Sequence, residues 1–280
     1  MLHQVLFALF MVEKKYDIII QAGQSNAEGS GRGPVSTEKE YIPQASICYL
    51  TSQKSIECNH GIVEVNFTDN NFTVEIAEER KDENGQMVGD FSLSFAKDYL
   101  ASDFAKNGRG LLIIRCGLGG TSFSQSHWGL HDECYLKMIE MIDYALQLNV
   151  DNRIVGFLWH QGESDVINNS STDEYYYNLS NMLHAVRMRY GDVPFIAGDF
   201  VYDWKNKNLS GCNPIVQEIR RVINNNKLSA FVETSGLPSN DQKIGNGDDI
   251  HFCREALYEL GHRYFKAFFE INKGNLLNGY

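Results

Sequence analysis

Proline is scarce, at 5 of 280 residues, and no Pro- or Ser-rich stretch reads as a linker. With no internal repeat or low-complexity tract either, the sequence reads as one domain, long enough to bury a sizeable core. The 6 cysteines, at 48, 58, 116, 134, 212 and 253, include no C-x-x-C pair. That spacing argues against a zinc site, and in a chain of this length it implies no disulfide framework. Basic residues are outnumbered, with 25 Lys and Arg against 36 Asp and Glu, for a formal net charge of -11. No dense basic run occurs, which argues against nucleic acid or anionic membrane as the main partner. Long hydrophobic runs are missing too. Val5 to Val12 are apolar, but a run that short cannot span a bilayer. Lys14 and Lys15 follow this run instead of preceding it, and no A-x-A site comes after it. The stretch reads as an extra strand or a packed arm, with a degenerate signal peptide as the alternative. Sequons at Asn66, Asn71, Asn168, Asn169, Asn178 and Asn208 matter only in a secreted eukaryotic protein. The expected compartment is cytoplasmic, with secretion as the alternative.

What the chain does have is an alternation of strand and helix patterns from residue 87 onward. Short apolar runs at 18–20, 111–115, 153–159, 193–200 and 229–234 predict strands. Between them, apolar residues at helical spacing predict helices over 132–148 and 173–190, around Ile215, Ile219, Val222 and Ile223, and over 254–271. This order predicts an α/β fold with a mainly parallel sheet and helices on both faces. In such sheets the ligand site lies beyond the carboxyl ends of the strands. Residues 30–90 break the rhythm. "GIVEVNFTDNNFTVEIAEE" reads as a hairpin turning at Asp69, Asn70 and Asn71, inserted over the sheet as a wall or lid for substrate.

Four loops at the predicted active edge hold the parts of an acyl-transfer site: "GQSN" (23–26), "CGLGGTS" (116–122), "WHQGESD" (159–165) and "GDDIHF" (247–252). A hydroxyl nucleophile needs a base, and the base needs an orienting acid. Ser25 supplies the hydroxyl, His251 the base, and Asp248, three residues before it, the acid, with Asp249 left open as a second candidate. Taken singly, each has a plainer reading: a turn serine, a surface histidine, acids at a helix N-terminus. Gly119 and Gly120 are candidates to present backbone N–H groups, and Gln161 a side-chain amide, to a developing oxyanion. Glu163 is a candidate brace that accepts N–H bonds, or a plain capping carboxylate. His160 and Trp159 read as core or supporting residues. The "GLGG" run does not complete a dinucleotide fingerprint, and "GSGRG" (29–33) lacks the Lys of a phosphate-binding loop. Trp128 and Trp204 are candidate stacking platforms for a sugar ring, with ordinary packing as the alternative.

Taken together, "GQSNAEG", "GGTS", "WHQGESD" and "DDIHF" closely resemble the SGNH-type esterases of the sialate O-acetylesterase and acetylxylan esterase (carbohydrate esterase family 6) group, over about residues 16 to 268. The resemblance implies a three-layer α/β/α sandwich with a parallel five-stranded sheet. It also implies hydrolysis of O-acetyl groups on carbohydrates without a metal or other cofactor. By motif, Ser25 would be the nucleophile, His251 the base and Asp248 its orienting acid. Ser25 and Gly120 would give backbone N–H groups to the oxyanion hole, and Gln161 its side chain. Gln24, Asn26, Gly119 and Glu163 would support them. Gln161 stands where many wider SGNH relatives carry Asn, which is usual for this branch. The expected partner is an acetylated carbohydrate. The alternatives are a non-catalytic carbohydrate-binding protein on the same fold or an esterase for another small ester. Oligomeric state is not readable from these residues.

Overall fold

The computed structural model describes residues 14–59, 62–82, 84–105 and 108–277. The expected N-terminal strand or arm at Val5 to Val12 lies outside them. The chain runs β1 (Tyr16–Gly23), α1 (Ser25–Glu28), β2 (Ile47–Asn59), β3 (Ile62–Ile76), β4 (Arg80–Lys81), β5 (Met87–Val88) and α2 (Phe91–Ala101). It continues through β6 (Gly110–Arg115), α3 (Glu133–Gln147), β7 (Arg153–His160), α4 (Glu163–Ile167) and α5 (Thr172–Tyr190). Then come β8 (Phe195–Gly198), α6 (Tyr202–Lys207), α7 (Leu209–Asn224), β9 (Ser229–Val232), α8 (Asn240–Ile244) and α9 (Arg254–Leu277).

The five strands predicted from apolar runs form a parallel core in the order β6-β1-β7-β8-β9. Every residue of β1 is buried, including three consecutive isoleucines, because both faces of the sheet are covered. On one side of the fold, α2 packs against α9, while α3 lies against β6 and β1. The buried apolar residues make one contiguous cluster. β1 lies at the centre, and the chain leaves it first toward β6 and later toward β7. It is therefore the point where strand order reverses, and in open α/β sheets ligands bind there.

The insertion differs from expectation in two ways. It does not lie over the sheet: β2 pairs in parallel with β6 through Ile47–Leu50, and β3 pairs antiparallel with β2, so the sheet gains two edge strands. Nor does the chain turn at Asp69 to Asn71. Residues 62–76 form one strand, in which Phe67 pairs with Lys54 and Phe72 with Ser52, so residues 68–71 bulge opposite Gln53. Alternating residues interrupted by "DNN" fit either a turn or a bulge, and pairing with β2 on both sides of that interruption selects the bulge. Among the described residues no helix is long and apolar enough to cross a membrane.

Candidate active site

Three of the four motif loops leave the adjacent strands β6, β1 and β7, so sheet order alone brings them to one edge. The first turns sharply at Gly23, whose φ of +132° and approach to His160 leave no room for a side chain: a Cβ there would lie 2.0 Å from the His160 carbonyl oxygen. Ser25 then opens the single helical turn α1. Its N–H, as the first of a helix, has no partner within the turn.

Around Ser25 the polar side chains are tightly tied. Gln24 Oε1 accepts the backbone N–H of Ser164 at 3.0 Å and of Gly162 at 3.3 Å, joining the first loop to the third. The fully buried Asn26 Nδ2 donates to Glu163 Oε1 at 2.8 Å and to the Ile250 carbonyl at 3.1 Å, and its Oδ1 accepts from Phe252 N at 3.2 Å. Asn26 thus bonds the first loop to the third and fourth at once.

On the fourth loop, His251 Nε2 lies 2.8 Å from Ser25 Oγ, and its Nδ1 lies 2.8 and 3.0 Å from the two oxygens of Asp248. Of the two adjacent acids, Asp248 is the one that meets the imidazole. Asp249 faces away and pairs with Lys207 at 3.0 Å. Burial alone would raise the Asp248 pKa, but hydrogen bonds from His251 and Asn240 outweigh it and hold the carboxyl below its ordinary value. The loop is stiffened by a capping box at Ser239 and Gln242, and by backbone bonds from Asn240 to His251 and from Asp241 to Asp248.

The second loop separates its two glycines. Gly119 N–H donates to Glu28 Oε2 at 2.9 Å. Gly120, held at φ +78°, has no hydrogen bond for its N–H among the described residues. Val63 of β3 stands against it, so the insertion walls this side of the site. Gln161 is fully buried, and its Nε2 donates to Asp165 Oδ2 at 2.6 Å. The second N–H of that amide has only long contacts, 3.3 Å to the Thr121 carbonyl and 3.4 Å to Gln24 Oε1.

Beneath these loops lies a second acid–histidine pair. Glu163 is fully buried, and burial pushes its carboxyl up to about 7 despite the Asn26 hydrogen bond. It accepts this side-chain amide together with its own backbone N–H. His160 Nε2 stands 3.8 Å from Glu163 Oε1 but is not charged, because burial pushes its pKa down to about 3. The Tyr264 hydroxyl donates to the Trp159 carbonyl at 2.8 Å, so it accepts from His160 Nδ1 at 3.0 Å.

Both candidate sugar platforms are packing residues instead. Trp128 is fully buried, donates Nε1 to Thr121 Oγ1 at 2.9 Å and meets Trp159 edge-on. Trp204 is buried against Phe200. Among the described residues no group of three or more His, Cys, Asp or Glu side chains is placed to hold a metal ion.

A family model described as carbohydrate esterase, sialic acid-specific acetylesterase matches residues 15–270. The chain belongs to that family. It is accordingly a carbohydrate O-acetylesterase, and its fold is that of the relatives already solved. The crystal structure of NanS superposes with a TM-score of 0.74, covering 93% of this chain and 98% of that one at 19% identity. A carbohydrate acetylesterase from Xanthomonas citri superposes with a TM-score of 0.63, covering 92% of this chain and 57% of that one at 17% identity. In sequence the chain is 24% identical over 232 residues to a probable 9-O-acetyl-N-acetylneuraminic acid deacetylase of Escherichia coli (strain K12), covering 68% of each. It is 24% identical over 272 residues to a probable carbohydrate esterase of Arabidopsis thaliana, covering 90% of this chain and 89% of that one.

Three residues of the esterase's site were missed by sequence reasoning. Glu28 holds the Gly119 N–H from the same turn as Ser25. Asp165 holds the Gln161 amide and also accepts Phe123 N and Ser124 N at 3.2 and 3.0 Å. Asn240 donates to Asp248 Oδ2 at 2.8 Å and to the Ser30 carbonyl at 3.0 Å. Glu28 and Asp165 lie inside the quoted motifs "GQSNAEG" and "WHQGESD", so membership of a motif was their one visible signal. Asn240 had none.

Proposed function

We propose that this esterase removes acetyl groups from a sugar through a serine-bound acetyl intermediate, with Ser25 as nucleophile. The observation that carries the reading is the continuous relay Ser25 Oγ–His251 Nε2 and His251 Nδ1–Asp248 Oδ1, each link 2.8 Å. His251 takes the Ser25 proton as Oγ attacks the acetyl carbonyl, and it returns that proton to the departing sugar hydroxyl. Water, deprotonated by the same imidazole, then attacks the acetyl-enzyme and releases acetate. Asp248, bonded to Nδ1, keeps Nε2 facing the serine and stabilises the imidazolium that forms.

The oxyanion is held by the N–H groups of Ser25 and Gly120, with the second N–H of Gln161 as third donor. This choice between the two glycines rests on the Gly119 N–H being spent on Glu28. Asp165 takes the other Gln161 N–H and so sets the plane of the amide. The substrate class that suits the family is an O-acetylated sialic acid, with other acetylated glycans as competitors.

The test is acetate release by wild type and Ser25→Ala from O-acetylated sialic acid, acetylated xylan and an aryl acetate. Release that disappears in the variant, and is fastest from a sugar, is the expected result. Acetate release that survives Ser25→Ala would overturn the nucleophile assignment.

A further inference from the structure

Three of the four directions around the reacting carbon are taken in the proposed mechanism. Ser25 Oγ holds the carbon, the oxyanion faces its donors, and the departing oxygen faces His251, which must protonate it. The acyl tail takes the remaining direction, away from the imidazole. Sheet order shows where that leads. The His251 loop reaches toward the β8 side, where Asp249 meets Lys207 of α6 at 3.0 Å. On the opposite side of β1 stand β6, β2 and β3. There the second loop lies between the nucleophile and the insertion. A Cβ on Gly119 would stand 3.6 Å from Ser25 Cβ, and a Cβ on Gly120 would stand 2.8 Å from Val63 Cγ2. Two glycines, with Cα atoms about 3.8 Å apart, therefore separate Ser25 from the half-buried Val63.

The insertion holds this valine in place. Val63 N–H donates to Gln125 Oε1 at 3.3 Å, and its carbonyl accepts from Nε2 of the buried His127 at 2.8 Å. From the neighbouring strand, Lys54 Nζ donates to the Gly117 carbonyl at 3.1 Å and pairs with Glu28 at 3.5 Å. Both strands of the hairpin are thus fastened to the loop that carries Gly120. A β-branched side chain has few rotamers to retreat into, and on a pinned strand it makes a wall of set depth. We propose that Val63 sets the acyl size that the esterase accepts. An acetyl group fits between Ser25 and the Val63 methyl groups, and each further methylene of the acyl tail is driven against them. This assignment rests on the reading of Ser25 as nucleophile, and one set of rates tests the two apart.

The rates are kcat/KM for p-nitrophenyl acetate, propionate and butyrate. They are compared in wild type, Val63→Ala, Val63→Thr, Val63→Ile and Ser25→Ala. Wild type is expected to favour acetate over butyrate by about tenfold or more, and Val63→Ala should cut that preference about tenfold, the scale on which a fitted pocket senses a methylene. Val63→Thr, which keeps the branched shape, should retain the wild-type preference. Val63→Ile, which deepens the wall, should sharpen it. The preference is a ratio read within each variant, so a loss of folded protein does not mimic the effect. Equal rates on acetate and butyrate in wild type, or one ratio shared by wild type, Val63→Ala and Val63→Ile, overturns the assignment of Val63. If Ser25→Ala abolishes all three rates in that case, the nucleophile reading stands without it. A ratio that follows residue 63 while Ser25→Ala stays active keeps Val63 and overturns the nucleophile. Wild type that cleaves none of the three esters overturns both.

Discussion

Asp248 and His251 are three residues apart, and so are His160 and Glu163, yet the two pairs end in opposite states. In the first, each side chain is about a quarter exposed, the nearest approach is 2.8 Å, and the acid is held ionised. In the second, both side chains are fully buried, the nearest approach is 3.8 Å, the acid is pushed up and the base down. Burial without close pairing favours the neutral form of each group, whereas a short hydrogen bond in partly solvated surroundings keeps the carboxylate charged. The exposed pair suits proton transfer, because its histidine can change charge during a reaction. The buried pair suits a frame, because neither partner carries charge readily. Asn26 connects the two, bonded to Glu163 below and to the backbone of the His251 loop above.

The largest effect that would break this comparison is expected at Asp248. Asp248→Asn should cost on the order of 10⁴-fold in kcat, the scale seen when a triad acid becomes an amide and the wrong tautomer is held. Asp249→Asn should stay close to wild type in acetate release. Equal losses from the two variants would mean that Asp248 is not the orienting acid.

Next comes the oxyanion side. Gln161→Ala should lower kcat about 10² to 10³-fold with little change in KM, as expected for a donor that acts mainly in the transition state. An unchanged kcat would remove Gln161 from the oxyanion hole.

A smaller loss, about tenfold in kcat, is expected for Glu28→Ala, which frees the Gly119 N–H and lets the second loop relax away from Ser25. Glu28→Gln retains an acceptor oxygen and should recover much of that rate. No recovery would mean that the charge paired with Lys54 at 3.5 Å matters more than the hydrogen bond.

The smallest effect concerns the buried pair and appears in stability. A glutamate with a folded pKa of about 7, against 4.5 when unperturbed, holds a proton that the unfolded chain has already lost between those values. Stability is therefore fully present below about pH 4.5, falls as pH rises through that window, and levels off above about 7. Glu163→Gln removes this slope, so thermal unfolding should show the variant gaining on wild type between pH 5 and pH 8. Parallel curves would show that Glu163 titrates as an ordinary carboxylate.

Much of this was legible in the residues alone. Runs such as Ile18 to Ile20 and Leu111 to Ile114 are apolar without alternation, and a strand buried on both faces needs nothing else to be seen. The helices around Leu179, Leu183 and Val186, and around Leu257, Leu260 and Tyr264, were equally plain, since one face of each is continuous and apolar. The insertion was misread because an edge strand has one exposed side, and its pattern does not say which neighbour it joins. The tryptophans stayed between two readings for a related reason: a large aromatic suits a sugar platform or a core, and only burial separates the two.

The sequence by itself determined the chemistry: a hydroxyl, an imidazole and an acid in loops that follow or flank buried strands, and two acid–histidine pairs at one spacing. Under the proposed mechanism, only the tertiary structure decides which pair serves proton transfer. Sheet order β6-β1-β7 carries three loops to one edge, and the return of the chain through α8 sets His251 against Ser25 from 226 residues away. Solvent reaches one pair and not the other, so an acid and a histidine three residues apart keep an ionised carboxylate in one place and form a neutral pair in the other. Exposure and distance set that difference, and both are properties of the packed chain, not of local order along it.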